Sequence, residues 1–96
     1  MIDIGLDEKE MHLIKNALLA AKVEKAVVFG SRAKGDFRKN SDIDIAVFGA
    51  KGDEAAHAAE ELELLPLPYM FDVQNFETIK NNELREHILR VGIELK

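Results

Sequence analysis

The 96-residue sequence has no cysteine, no tryptophan and only two prolines. Without cysteine there can be neither disulfides nor thiolate metal sites, so the candidate metal ligands are oxygens and imidazoles. No apolar run approaches the roughly 20 residues of a transmembrane helix, and the first residues lack the basic and apolar segments of a signal peptide. We therefore expect a cytoplasmic protein without a membrane partner.

Basic residues are also scarce, with 13 Lys and Arg against 18 Asp and Glu and a net charge of −5. Surfaces that bind nucleic acid usually carry a basic excess, so no direct nucleic-acid partner is expected. One segment is an exception, because four basic residues stand there with only Asp36 against them: Arg32, Lys34, Arg38 and Lys39. This local excess fits a phosphate, an acidic partner or a solvated loop. Two glycines and five charged residues predict that the loop from Gly30 to Ser41 is exposed, with one helical turn near Ser31.

The length and the 47% hydrophobic content predict one domain over residues 1–96 with a modest core. Apolar spacing and capping residues predict helices from Asp7, from Asp53 to Leu65, and before Gly92. Short apolar runs predict strands at Ala26–Phe29, Asp42–Phe48 and Tyr69–Val73. The fold class is therefore α/β or α+β, with three strands in one small mixed sheet, and residues 93–95 either add an edge strand or simply close the chain.

Two short motifs stand beside the first two predicted strands. Gly30 and Ser31 form a turn after the first strand, and Asp42 and Asp44 open the second. Because side chains alternate along a strand, both carboxylates point to the same face. At about 5 Å and an effective dielectric of about 20, two such charges repel by about 3 kcal/mol.

A hard cation would turn this repulsion into attraction, since Mg²⁺ prefers carboxylate oxygens together with substrate phosphates. Gly30 has no Cβ, so a phosphate can approach the backbone, and Ser31 offers a hydroxyl and an N–H group. A Gly-Ser turn or an Asp-x-Asp run is usually only a turn or a cap when it occurs alone. Their joint occurrence beside apolar strands predicts a site for a metal and a nucleotide.

The run Gly30-Ser31-Arg32-Ala33-Lys34-Gly35 is followed after six residues by Asp42-Ile43-Asp44-Ile45-Ala46-Val47. This pattern resembles the signature of the DNA polymerase beta-like nucleotidyltransferase superfamily. More narrowly, it is similar to the minimal nucleotidyltransferase (MNT) proteins of prokaryotes. The resemblance implies the polymerase beta-like fold, with a small mixed sheet of three or four strands flanked by helices.

The resemblance also implies roles for individual residues. Asp42 and Asp44 would bind Mg²⁺, with two ions in the site, and a third acidic residue on a later strand would join them. Asp72 is the one downstream carboxylate in a strand-like apolar context, although such a residue also occurs at strand ends facing solvent. Asp72 would act as a metal ligand and could accept a proton from the acceptor. Two further sets of residues would hold the nucleotide: Gly30 and Ser31 at the β- and γ-phosphates, and Arg32 or Lys34 at the leaving pyrophosphate.

MNT proteins resembling this chain are commonly paired with a HEPN-domain toxin and act as its antitoxin. The resemblance therefore implies Mg²⁺-dependent transfer of AMP from ATP to a hydroxyl of that toxin, a tyrosine, within a hetero-oligomer. Two alternatives remain: a non-catalytic antitoxin that inhibits its partner by binding, and a transferase acting on a small molecule. Residues 53–65 carry five acidic and no basic residues, which is typical of a solvated helix or of a surface for a basic partner.

Overall fold

The computed structural model describes residues 4–38 and 41–95, so Lys39 of the predicted basic segment lies outside the described residues. The elements follow in chain order: α1 (Glu8–Ala20), β1 (Lys25–Phe29), α2 (Ser31–Lys34), β2 (Ile43–Phe48), α3 (Glu54–Glu63), β3 (Phe71–Asn75), a 3-10 turn (Phe76–Thr78), α4 (Asn82–Val91) and β4 (Ile93–Glu94). In the described part of the chain, no helix is long and apolar enough to span a membrane.

The strands form one mixed sheet in the order β3-β2-β1-β4. Strand β1 pairs antiparallel with both β2 and β4, whereas β2 and β3 run parallel. The parallel pair is connected through α3, as parallel strands require a crossover. The predicted mixed sheet with flanking helices is confirmed, and the C-terminal residues supply its fourth strand.

Each face of the sheet has its own apolar cluster. On one face, alternate strand residues such as Val28 and Ile45 pack with residues of α1 and α3, among them Ile14, Leu18 and Leu62. The opposite face has a smaller cluster that consists of Val27, Phe29, Ala46, Phe76 and Ile88. Because alternate residues share a face, Asp44 lies on the side of this smaller cluster, which α4 covers in part.

Helix α1 begins as the sequence predicts. The Asp7 carboxylate accepts a hydrogen bond from the Glu10 N–H at 2.7 Å, and the Asp7 N–H donates to the Glu10 carboxylate at 3.1 Å. This reciprocal capping box satisfies two backbone donors and is typically worth about 1 kcal/mol.

Some predicted boundaries differ from the structure by one or two residues. Helix α3 ends at Glu63, short of Leu65, and Asp53 occupies the N-cap without a side-chain cap hydrogen bond. Strand β3 covers Phe71–Asn75, two residues later than predicted, because the Met70 carbonyl accepts the Ile43 N–H and so starts the pairing with β2 at Phe71. The C-terminal helical region is divided, since Asn81 caps a new helix start at residue 82, after the 3-10 turn (Phe76–Thr78).

Candidate active site

Two of the three predicted aspartates lie side by side on adjacent strands. Asp44 of β2 is in parallel register with Asp72 of β3 and opposite Phe29 of β1. Equivalent register positions in neighbouring strands present their side chains on the same face. Gln74, two residues along the same strand, donates a hydrogen bond from Nε2 to the Asp72 Oδ1 at 3.2 Å. The tertiary fold therefore places a carboxylate from a distant part of the chain beside Asp44.

Asp44 is also the residue at which the acidic charges converge. Partial burial raises the pKa of the Asp44 carboxyl above its ordinary 3.8, the negative charges of Asp72 and then Asp42 raise this pKa further, and His87 opposes them. Asp42 is exposed and immediately precedes β2. The sequence predicts Asp42 as the main neighbour of Asp44, but Asp72 has the larger electrostatic effect on it.

Gly30 lies directly against this cluster. Its backbone has φ +75° and ψ −150°, a conformation that residues with a Cβ rarely adopt. A Cβ at this position would collide with the Asp44 Oδ2 atom. Glycine is therefore required here for two independent reasons, the backbone conformation and the close approach of the carboxylate.

The other predicted nucleotide-binding residues follow Gly30 in α2. Ser31 begins this single helical turn and is partly exposed, so the helical turn expected near Ser31 is confirmed. Lys34 is exposed, and its Nζ lies 3.8 Å from the Asp36 Oδ2. Because both partners of this ion pair are solvated, the pair holds the Lys34 ammonium only weakly. Lys34 thus remains free to reach an anion, and its phosphate role stays a prediction.

Arg32 differs from Lys34 in its environment. Its side chain is only 1% exposed, although the segment from Gly30 to Ser41 was predicted to be an exposed loop. The Arg32 guanidinium donates to the carbonyl oxygens of Ser41 and Ile4. The expectation of an exposed segment is therefore wrong at Arg32 and Ala33, because the former finds backbone acceptors inside the fold and the latter joins the core. Whether Arg32 acts on a phosphate is a separate prediction.

His87 is a member of the site that the sequence-based interpretation missed. A polar residue in the predicted C-terminal helix is expected on its surface, but His87 is partly buried, and its ring packs edge-to-face on Phe29 with centroids 6.1 Å apart. A signal was present: Leu84, His87, Ile88 and Val91 follow the i, i+3, i+4, i+7 spacing of one helix face. Counting His87 in this stripe places it over the sheet, next to the strand that carries Asp44.

Asp42, Asp44 and Asp72 have the ligand chemistry that a hard metal ion requires, but they do not form a compact three-ligand cluster. Carboxylate oxygens are suitable Mg²⁺ ligands. The pKa of Asp44 is raised by partial burial and then by neighbouring negative charges, and a cation would offset those charges. However, across residues 4–38 and 41–95, no three His, Asp or Glu side chains are gathered closely enough to form a metal site. Asp42, Asp44 and Asp72 are thus candidate ligands that substrate phosphates would have to complement.

The electrostatics predict that Asp44 lowers stability. Its pKa is raised in the folded protein, so ionised Asp44 destabilises the fold at neutral pH, and this cost disappears as pH falls through the raised pKa towards 3.8. In urea unfolding, Asp44→Asn should raise the free energy of unfolding at pH 7, because it removes a partly buried charge and the repulsion by Asp72 and Asp42. The gain should shrink towards pH 4.

The exposed Asp53→Asn is a matched control, since its side chain makes no cap hydrogen bond. We expect Asp53→Asn to leave the free energy of unfolding nearly unchanged at both pH values, and to change it by less than Asp44→Asn does at pH 7. An Asp44→Asn protein that is less stable than the wild type at pH 7 would contradict the predicted repulsion.

Comparisons with known proteins agree with this fold. The model of the family described as Polymerase beta, Nucleotidyltransferase matches residues 12–96. No curated protein matches the chain at a significant level. A toxin–antitoxin crystal structure with AMP-PNP is similar with a TM-score of 0.64 and 24% identity, covering 85% of this chain and 72% of the other. A crystal structure of a toxin–antitoxin MntA-HpeT mutant is similar with a TM-score of 0.69 and 22% identity, covering 90% and 71%.

At these identities the two structures show a shared fold and nothing finer. The family match is broader evidence, because it includes β1, the Gly30-Ser31 turn, Asp42, Asp44 and Asp72 within one alignment of residues 12–96. Since this match spans well over half of the sequence, the chain belongs to the polymerase beta nucleotidyltransferase family.

Proposed function

We propose that this nucleotidyltransferase moves AMP from ATP to a hydroxyl group, a tyrosine, of a HEPN-type toxin, and thereby acts as the antitoxin. The observation that carries the catalytic part is the register of Asp44 with Asp72, beside the Gly30 backbone. The partner is supported by the likeness to two toxin–antitoxin structures, and the nucleotide by the AMP-PNP in one of them.

In the proposed reaction, the acceptor oxygen attacks the α-phosphorus of ATP. An oxygen–phosphorus bond to the acceptor forms, the bond between the α-phosphorus and the bridging oxygen breaks, and pyrophosphate leaves. The acceptor proton passes to the Asp72 carboxylate, which Gln74 orients through its hydrogen bond. Gly30 admits the triphosphate to the face of the sheet where Asp44 lies, while Ser31 and Lys34 bind its β- and γ-phosphates.

Asp42, Asp44 and Asp72 would hold Mg²⁺, up to two ions. When bound, the metal supplies charge stabilisation for the entering and leaving oxygens. The three carboxylates place negative charge where a cation and the triphosphate must meet, and His87 adjoins this position from α4. We expect ATP and Mg²⁺ to bind together, since each neutralises charge that the other introduces.

The acceptor is expected to be supplied by the partner in a hetero-oligomer. We assign residues 1–96 to one nucleotidyltransferase domain, and use of ATP and of an intracellular toxin would locate the pair in the cytoplasm. No nucleic acid takes part in the proposed reaction, which agrees with the net charge of −5.

The proposed reaction predicts a specific labelling pattern. ATP labelled at the α- or at the γ-phosphate is incubated with Mg²⁺, this protein and a lysate of the source cell, and proteins are then separated by size. AMP transfer should give a partner band that carries the α label and lacks the γ label, at the mass of a protein that co-purifies with this chain. A band with the γ label would indicate phosphoryl transfer and contradict the proposal.

A second candidate function is inhibition by binding alone. It is favoured by the finding that no three candidate ligands among the described residues are close enough to hold a metal. In that case the Asp42→Ala, Asp44→Ala double variant would neutralise the toxin in cells as well as the wild type does. A catalytic antitoxin would lose neutralisation in this variant while still co-purifying with the toxin.

A further inference from the structure

Arg32 makes an unusually complete set of contacts for a charged residue next to a candidate phosphate site. Its Nε and Nη2 atoms donate to the Ser41 carbonyl oxygen at 3.2 and 2.7 Å, and its Nη1 donates to the Ile4 carbonyl oxygen at 2.8 Å. All three guanidinium nitrogens are therefore engaged by backbone acceptors. An arginine fork fixes the direction of such bonds far better than a lysine ammonium.

Aromatic rings confine the same guanidinium. The Arg32 Cζ lies 5.2 Å from the centroid of Phe37 and 4.9 Å from that of Tyr69, both within cation–π range. The Tyr69 hydroxyl donates to the Glu10 carboxylate at 2.8 Å, and Glu10 belongs to the capping box of α1. The position of the Arg32 side chain is thus tied to the N-terminal helix.

The backbone that Arg32 holds leads directly into the candidate metal ligands. Ser41 immediately precedes Asp42, and on the other side of Asp42 the Ile43 N–H donates to the Met70 carbonyl at 2.9 Å. Asp42 therefore stands between two anchored peptide groups, one fixed by Arg32 and the other by the chain entering β3. Loosening the Ser41 anchor would free the peptide on the N-terminal side of Asp42.

We infer that Arg32 is a positioning residue that fixes Asp42 for metal binding, and that it is not a phosphate ligand. The inference rests on the proposed function for the role of Asp42. To reach a triphosphate, the guanidinium would have to break its hydrogen bonds to the Ser41 and Ile4 carbonyl oxygens. It would also have to leave the rings of Phe37 and Tyr69. Those bonds would then be lost from a buried environment, where unsatisfied groups are costly.

The test uses Arg32→Lys, which keeps the charge and removes the fork. The first readout is amide hydrogen exchange, which requires neither metal nor nucleotide. Exchange at Ile43, whose N–H donates to the Met70 carbonyl, should become at least about 10-fold faster, whereas exchange at Ile45 in the centre of β2 should stay within about 2-fold. The exposed Arg90→Lys on α4 is the matched control and should leave all these rates unchanged.

The second readout is binding of Mn²⁺ alone, followed by electron paramagnetic resonance without nucleotide. A positioning role predicts that Arg32→Lys weakens Mn²⁺ binding by about 10-fold and that kcat falls much more than the KM for ATP rises. A phosphate ligand would instead leave Mn²⁺ binding unchanged and raise KM in Arg32→Ala, with recovery in Arg32→Lys. That pattern, together with unaltered exchange at Ile43, would overturn the inference.

A second variant covers the case in which Arg32→Lys does not fold. A Cβ at Gly5, whose φ is +80°, would collide with the Phe37 ring and lie 2.8 Å from the Arg32 Nη1. Gly5→Ala should therefore displace the guanidinium without changing any charge. It should also speed exchange at Ile43 and weaken Mn²⁺ binding, as Arg32→Lys does. Normal exchange and Mn²⁺ binding in folded Gly5→Ala would count against the inference.

The readouts separate this inference from the proposed function. If the wild-type protein transfers no AMP, the proposed function fails, but faster exchange at Ile43 in Arg32→Lys still establishes the anchoring. If the wild type transfers AMP and Arg32→Lys matches it in exchange, Mn²⁺ affinity and kcat, the proposed function stands and the positioning role of Arg32 is wrong.

Discussion

Joint replacement of Asp42 and Asp44 by asparagine should reduce AMP transfer by at least about 1000-fold. Asparagine keeps the size of each side chain but removes the charge, and Mg²⁺ binds most readily to carboxylate oxygens. The measurement is the initial rate of α-label incorporation into the purified partner. Because both carboxylates would bind the same metal, each single substitution should already remove much of the activity. The free-energy costs of the two single substitutions should therefore sum to more than the cost of the double substitution.

The control must show that the lost activity is not lost folding. Asp53→Asn removes a carboxylate of equal size from an exposed position. The Asp53 Oδ2 lies 3.6 Å from the His57 Nε2, and solvent screens this contact. Its rate should stay within about 2-fold of the wild type. The double variant should also unfold at a temperature no lower than the wild type, since its asparagines relieve repulsion at Asp44. A double variant that is stable and transfers AMP at the wild-type rate would refute the catalytic assignment.

The second large effect is expected at Gly30. Gly30→Ala introduces a Cβ at φ +75°, where the new methyl group collides with the Asp44 Oδ2. The substitution therefore strains the backbone and also displaces a candidate metal ligand. The strain and the clash should lower the free energy of unfolding by about 2–4 kcal/mol. A displacement of about 1 Å at a reacting group costs about 100-fold in rate, and AMP transfer should fall by at least this factor.

Gly35 separates the two components of this effect. It also has a positive φ, +84°, but a Cβ there would find no atom within 4 Å. Gly35→Ala should therefore show only the backbone cost of a left-handed conformation, about 1–2 kcal/mol, and transfer within about 3-fold of the wild type. Equal losses of transfer in the two variants would mean that the contact between residue 30 and Asp44 does not matter for catalysis.

Asp44 and Asp72 lie on strands that occupy different places in the sheet. Asp44 is held by a central strand, while Asp72 comes from an edge strand whose pairing with β2 depends on the crossover through α3. The two strands can separate without disrupting the contacts of β1 with β2. Loss of stability near α3 should therefore affect the Asp44–Asp72 pair before it affects the core of the sheet.

The amino-acid sequence alone determined the features that arise from short-range patterns. The capping box of Asp7 and Glu10 follows from the capping residues, and the two strands around the Gly30-Ser31 turn follow from short apolar runs. The family could also be predicted, since the two motifs lie within 15 residues of each other. All of these depend on residues close in the chain.

Only the tertiary structure decided which distant residues join the site. The parallel register that opposes Asp72 to Asp44 links residues 28 positions apart, and neither strand specifies that register by its own pattern. The burial of Arg32 depends on carbonyl oxygens of Ile4 and Ser41, and the place of His87 depends on the docking of α4 against Phe29. A charged or polar side chain is buried only where other segments supply its partners, and those partners exist only once the chain has folded.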